Sequence, residues 1–261
     1  MNKKAFIKSL VLLLFVLIYS CKTYLVNTKS ESENIVLNES IEETGVNDYE
    51  SIIKPYRNSL SASMSEVLNQ SDVEMTTGIP EGNLGNFTAD LTYEMATKYY
   101  EGEIDFALLN NGGLRTSLPK GDITRKKIFE LMPFENQLVV VTLSFEKAQE
   151  LFDFVATMSD TNLSVKKGVA LSKHVNLVLQ NKKTKEVKIG DHGLVQKEYK
   201  VVTSDYLASG GDKMNFFLNP IKLERVGIKL RDAILEYVVI EKEQGRSITA
   251  KADKRIRYAG R

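Results

Sequence analysis

The sequence predicts an α+β fold whose strands pair in mixed or antiparallel fashion. Three observations lead there. Apolar residues recur at helical spacing in three segments, short apolar runs of strand length lie between them, and the two kinds of segment alternate too loosely for a doubly wound parallel sheet. In chain order, Leu84, Phe87, Leu91 and Met95 share one helical face and predict a helix over 84–100. Ile104 to Leu109 (IDFALL) and Gln137 to Leu143 (QLVVVTL) read as buried strands. Ser144 is placed to cap a helix carrying Phe145, Ala148, Leu151, Phe152 and Val155. Val175 to Gln180 and Val187 to Ile189 read as strands joined by a polar turn over Asn181–Lys185, and Tyr199 to Thr203 (YKVVT) as another strand. Leu230, Ile234, Tyr237, Val238 and Glu241 mark the last long helix.

The 261 residues are 43% hydrophobic and 26% charged, within the range of one or two globular domains. A net charge of +1 offers no basic field for a nucleic-acid partner. One cysteine, Cys21, excludes an intrachain disulfide and a thiolate zinc cage, and two histidines, His174 and His192, argue against a His-rich metal centre. The first residues read as a targeting segment. Lys3, Lys4 and Lys8 precede an apolar run from Leu10 to Ile18, too short to cross a bilayer, and Tyr19-Ser20-Cys21 follows. This resembles a bacterial lipoprotein signal over 1–21, with Cys21 as the lipidated residue; a plain secretory signal or an uncleaved anchor is the alternative. Removing the three lysines leaves 32 basic against 34 acidic residues and a mature charge of −2. Residues 22–48 are rich in Ser, Glu, Asn and Thr and read as a flexible tether. The folded domain is expected over 49–261, lipid-anchored to a bacterial membrane and facing the periplasm or the cell exterior.

Three loops carry residues suited to chemistry. The first, Glu81-Gly82-Asn83-Leu84-Gly85-Asn86, opens the predicted 84–100 helix. Its asparagines are candidate caps and Gly85 permits close approach of a backbone or ligand; a helix start with a packing glycine is the plainer alternative. The second, Asn110-Asn111-Gly112-Gly113-Leu114-Arg115, follows a buried strand. Gly112 and Gly113 permit positive φ and converging amides, Asn110 both donates and accepts, and Arg115 presents a fork suited to phosphate or carboxylate. The third, Ser204 to Asp212, offers Tyr206, the corner Gly210-Gly211 and the Asp212 carboxylate. Phe134, in Pro133-Phe134-Glu135-Asn136, adds a second aromatic, with a place in the core as its alternative. Two aromatics, a carboxylate, an amide and an arginine match what a nucleotide needs: faces for the base, acceptors for the ribose and a cation for phosphate.

These stretches in this order, EGNLGNFTAD (81–90), LLNNGGLR (108–115), GDITRKKIFELMPFENQLVVVTL (121–143) and VVTSDYLASGGD (201–212), resemble the C-terminal, substrate-binding domain of the 5′-nucleotidase family. Tyr49 to Leu68 resembles that domain's leading helix, and a final strand is implied near Arg255-Ile256. The resemblance implies a layered α/β/β/α domain with mixed sheets. It implies phosphate- and ribose-side contacts for Asn110 and Arg115, a base clamp of Phe134 and Tyr206, a ribose-binding carboxylate in Asp212, and supporting roles for Asn83, Gly85, Asn86, Gly112, Gly113, Gly210 and Gly211. Departures are Pro80 where the family often has arginine, and Tyr206 where it usually has phenylalanine. The basic cluster Lys251, Lys254, Arg255, Arg257 and Arg261 reads as a solvated terminal strand, with a basic tail for headgroups or RNA as the alternative.

In full-length members the resemblance implies a separate metallophosphatase domain with two divalent metals. Its Asp-x-His and Gly-Asn-His-Glu segments are not seen in this sequence. The expectation is therefore a nucleotide-recognition half with no catalytic residue and no metal or cofactor of its own, working with a separately encoded metallophosphatase chain that holds the metals. Its partners would be a nucleotide or nucleoside, that chain, and a membrane through the lipid alone. A non-enzymatic nucleotide-binding lipoprotein is the alternative, and a relic whose loops only pack is a third.

Overall fold

A five-stranded mixed sheet organises the domain, and the alternation of its side chains explains its apolar strands. The computed structural model describes residues 46–260, with side chains from Tyr49. The signal segment, Cys21 and most of the tether lie outside the described residues. The chain divides into two units, Met1–Ile53 and Lys54–Arg261; the first is described only where helix α1 begins, and the second carries the sheets. Helix α1 spans Val46–Met64, so the expected start of the fold near Tyr49 falls inside a helix. Val67 and Leu68, read from the family resemblance as the end of that helix, belong to β1 (Val67–Ser71) instead.

There follow α2 (Asn83–Tyr99), β2 (Phe106–Asn110), β3 (Gly121–Thr124), α3 (Arg125–Leu131), β4 (Gln137–Leu143), α4 (Phe145–Met158), β5 (Val169–Leu171), β6 (Val175–Gln180), β7 (Lys183–Ile189), β8 (His192–Gly193), β9 (Tyr199–Ser204), the single turn α5 (Asp205–Ala208), β10 (Lys222–Lys229), α6 (Leu230–Glu243) and β11 (Ile256–Tyr258). The large sheet has the order β10-β4-β9-β2-β5, a second runs β11-β6-β7-β8, and β1 pairs with β3. In the large sheet only β2 and β9 are parallel; the other pairs are antiparallel. In the second sheet β11 and β6 are parallel.

Both faces of the large sheet are buried. On β2, Ala107 and Leu109 join a cluster with Leu84, Phe87, Leu91 and Met95 of α2 and Ile234 and Val238 of α6. Phe106 and Leu108 point the other way, to Leu151, Phe152 and Val155 of α4 and to Leu177 and Leu179 of β6. Successive side chains alternate across a strand, so a strand covered on both sides is apolar on both, as Leu138 to Val141 and Leu143 of β4 are. The mixed sheets and the helices therefore match the predicted fold class.

Departures from these expectations have identifiable contacts behind them. The β6–β7 turn shrinks to Asn181-Lys182, both at positive φ, so β7 begins at Lys183. Its polar start is solvent-exposed and has no hydropathy signal. Arg255 is 4% exposed and does not read as solvated: it bonds Asp90, Asp253 and the Leu171 carbonyl, which locks the C-terminal segment to α2 and β5. His174 stacks on Tyr93 at 3.8 Å, half-buried, and burial lowers its pKa below the usual value.

The register brings four loops to one end of the sheet. Leu138 at the start of β4 faces Ser204 at the end of β9, β2 runs parallel to β9 and ends at Asn110, and Asn110 faces Val169 at the start of β5. Loops 110–115, 132–136, 164–168 and 204–213 all leave from that end.

Candidate functional site

Asn110, Arg115, Phe134, Tyr206 and Asp212, drawn from three of these loops, line one cleft of about 620 Å³. That volume lies within the ~300–1,000 Å³ of small-molecule sites. The carboxylate of Asp212 is held at both oxygens: Asn110 Nδ2 donates to Oδ2 at 2.6 Å and Tyr206 Oη donates to Oδ1 at 2.9 Å. The hydroxyl that distinguishes Tyr206 from a phenylalanine thus orients the acidic group beside it. The same bond raises the Tyr206 pKa above its usual value, because the phenolic proton is held by a carboxylate. Phe134 and Tyr206 remain 41% and 46% exposed, so each keeps a ring face open. Phe134 therefore does not sit in the core. The Arg115 guanidinium carbon lies 5.9 Å from the Phe134 ring centroid and Nη1 donates to the Gly112 carbonyl at 3.1 Å.

Glycine serves these loops by close approach more than by backbone freedom. Gly112 and Gly113 form a 3-10 turn without positive φ, contrary to expectation. A Cβ on Gly112 would lie 3.2 Å from the Lys166 carbonyl oxygen and 3.4 Å from Asp212 Oδ2, and one on Gly113 would lie 3.0 Å from Asn110 Oδ1. Gly211 is equally constrained, since its Cβ would lie 2.6 Å from the Tyr206 ring. Gly210 does use left-handed backbone, at φ 88.

The first sequence loop has a different place. Gly82 is the N-cap of α2, and Asn83 bonds back to Thr76 N and the Glu74 carbonyl, both at 2.8 Å. Buried Asn86 donates to the Lys251 carbonyl at 3.1 Å. Neither asparagine lines the cleft; they join the start of α2 to its neighbours. Gly85 reaches the site indirectly, because its Cβ position is 3.4 Å from Asn111 Oδ1.

The described residues match the family descriptor "5′-nucleotidase, C-terminal domain" over 63–219, a span that contains all five cleft residues. The chain belongs to this family. Its similarity extends to the trifunctional nucleotide phosphoesterase protein YfkN of Bacillus subtilis, 27% identical over 77% of this chain and 14% of that protein. Protein UshA of Yersinia enterocolitica is 36% identical over 41% of this chain and 19% of its own length. The solved 5′-nucleotidase precursor of Thermus thermophilus superposes with a TM-score of 0.66 at 21% identity, covering 81% of this chain and 43% of that one, a likeness of fold. The chain thus spans less than half the length of these relatives.

Several residues in and around this cleft escape sequence reasoning. Asn111 is buried, and its Nδ2 donates to the carbonyls of Gly78 and Val165, both at 3.0 Å, so it ties the Gly-Gly turn to two other loops. Gly168 leaves room for it, since a Cβ there would lie 2.6 Å from that nitrogen. Asn136, Phe154, Met158, Lys166, Lys167, Lys213 and Met214 also line the cleft. Phe154 lies off the apolar stripe of its helix, which is the one sequence signal that marks it. Arg231, at the start of α6, brackets Phe134: it bonds the Pro133 carbonyl and Glu135, and its guanidinium carbon lies 4.5 Å from the Phe129 ring centroid. Lys229 and Arg231 together hold the Glu135 carboxyl down to about 2, with the hydrogen bond from Lys229 the larger cause. Among the described residues no three His, Cys, Asp or Glu side chains gather as a group that could hold a metal ion.

Proposed function

We propose that this chain is the nucleotide-recognition half of a 5′-nucleotidase-type phosphohydrolase in nucleotide catabolism. The observation that carries the reading is the convergence of the five side chains on one cleft. Phe134 and Tyr206 offer ring faces to a base. Asp212, oriented by Asn110 and Tyr206, presents an acceptor to ribose hydroxyls. Arg115, beside Phe134, meets phosphate as a fork of donors. Bond cleavage in this reading belongs to a separately encoded metallophosphatase chain. Two divalent metals there would activate water and neutralise the leaving oxygen. In this reading the side chains of the cleft recognise the nucleotide and the metals belong to the partner chain. Lipidation at Cys21 would hold the domain at a bacterial membrane, facing the periplasm or the exterior.

Calorimetry of the full chain with adenosine and AMP tests the site, with binding expected for both. A phosphatase assay of the pure chain with added Mn²⁺ or Zn²⁺, beside affinity capture from the native host, tests the division of labour. The reading expects no turnover alone and co-capture of a metallophosphatase. Turnover by the isolated chain overturns the division; capture without such a partner favours a nucleotide-binding lipoprotein.

A further inference from the structure

The loop that carries Phe134 has little of its own to hold it in place. Pro133, Phe134 and Glu135 are all exposed, so core packing does not fix them, although Met132 just before them is buried. Backbone bonds secure the two ends of the loop and not its middle. Arg115 N donates to the Leu131 carbonyl and Leu230 N to the Asn136 carbonyl, both at 2.9 Å. The middle is gripped by Arg231, which is 7% exposed and does not line the cleft. Its partners flank Phe134 in sequence: Nη1 donates to the Pro133 carbonyl at 3.2 Å and Nη2 to the Glu135 carboxylate. The guanidinium lies over the Phe129 ring of α3, and its buried Nε finds no hydrogen-bond partner among the described residues. A buried guanidinium with a donor unsatisfied carries a desolvation cost that an aliphatic side chain would avoid, so this position is not one chosen for the stability of the core alone.

Resting on the nucleotide-binding reading, we infer that Arg231 is a positioning residue for the base contact. It touches no ligand; gripping the loop on either side of Phe134 from α6, it fixes where the Phe134 ring face points. Anchors one residue to each side restrict the backbone between them, and with it the direction of the ring. The fork is essential to this, because a lysine offers one point charge where arginine offers two directed donors. Glu135 neutralises the Arg231 charge, so phosphate is left to Arg115, which meets Phe134 from the cleft side at 5.9 Å.

A double-mutant cycle on the full chain tests this, read by calorimetry with adenosine and AMP. Arg231→Met keeps the apolar stem and removes the fork; adenosine affinity is expected to fall about fivefold or more, as residues that act together couple. Arg231→Lys should recover part of it, with a loss of about threefold. The decisive comparison is made without the ring. Arg231→Met added to Phe134→Ala should cost less than about twofold, whereas a general loosening of the fold would add its full loss in either background. Adenosine and AMP should weaken by the same factor, because the phosphate contact is untouched. Wild-type affinity in Arg231→Met, a loss undiminished by Phe134→Ala, or a larger loss for AMP than for adenosine overturns the inference, while adenosine binding by the wild type leaves the site reading standing. If circular dichroism shows Arg231→Met unfolded, the same cycle is run with Arg231→Lys and with Glu135→Gln, which acts from the exposed end of the pair, and is judged by the same criterion. No binding of adenosine or AMP by the wild type overturns the site reading, and this inference with it.

Discussion

The two ends of the five-stranded sheet carry cavities of nearly equal size and opposite chemistry. One is the cleft beyond Asn110 and Ser204. The other is a groove of about 600 Å³ at the far end, where Tyr99 and Tyr100 precede β2, Lys200 is the second residue of β9 and Lys222 the first of β10. Both lysines of the groove are held by carboxylates, Lys222 by Glu224 at 2.8 Å and Lys200 by Glu103 at 3.8 Å. Glu224 also accepts from Tyr100 Oη at 2.8 Å, and its pKa falls below the usual value because Lys222, then Tyr100, bond its ionised form. In the cleft none of the four cations has a carboxylate partner among the described residues, and two aromatic faces stand open. Volume alone does not mark a binding site. What separates the two ends is the state of their cations, because a cation already held by a carboxylate gains less from taking up an anion than one without a partner.

The largest expected effect on this contrast comes from Phe134→Ala. Its stacking face is worth about 1–3 kcal/mol by analogy with aromatic–base contacts, so adenosine affinity should fall some tenfold or more in calorimetry. The unfolding midpoint should hardly move, because the ring is already half open to solvent. Tyr99→Ala at the far groove is the matched control. Equal losses from both variants would erase the distinction between the ends.

Asn111→Ala comes next and acts on stability. It removes the donor shared by two loop carbonyls in a buried setting, which should lower the unfolding free energy by about 2 kcal/mol in urea titration. Nucleotide affinity should fall with it, since the same nitrogen anchors the Lys166 turn; an unchanged affinity would show the turn to be held without it.

Acidification gives a smaller effect, confined to the cleft end. The folded pKa of Glu135, about 2, lies below its usual 4.5. The clamp it forms with Lys229 and Arg231 is therefore whole above about pH 4.5 and fades as pH falls through 2. The stability gap between wild type and Glu135→Gln should close over that window and be constant from pH 6 to 8. The pair is exposed on the Glu135 side, so added salt should shrink the gap.

The smallest effect is expected at the groove. Glu224→Gln breaks a solvent-accessible pair and one hydroxyl contact, and should leave nucleotide affinity unchanged and the unfolding midpoint nearly so. A loss of nucleotide binding would join the two ends functionally and refute their separation.

Much of this molecule is written locally. β4 runs over Gln137–Leu143, as its apolar run predicts, and Ser144 caps α4 by accepting from Lys147 N. The five candidate residues are legible because each stands within a few positions of a glycine or proline that declares a turn. Other features leave no local trace. β10 reads KLERVGIK, half charged, and is a strand because β4 offers it a backbone partner. Gly112 and Gly113 suggest conformational freedom in sequence but serve crowding in space. Arg255 lies in a basic tail in sequence, yet in space it is paired to an aspartate 165 positions away.

The sequence by itself determined which segments are covered on both faces, how α4 begins, and which loops carry the five side chains that line the cleft. Hydropathy period and capping chemistry act within a few residues and need no fold to be read. The tertiary structure alone decided that four loops meet at one end of the sheet, that Asn111 and Arg231 brace them, and that three lysines line the cleft without an ion-pair partner among the described residues. Those outcomes depend on strand register and on contacts between residues 33 to 98 positions apart, where charge balance is a property of place and not of composition.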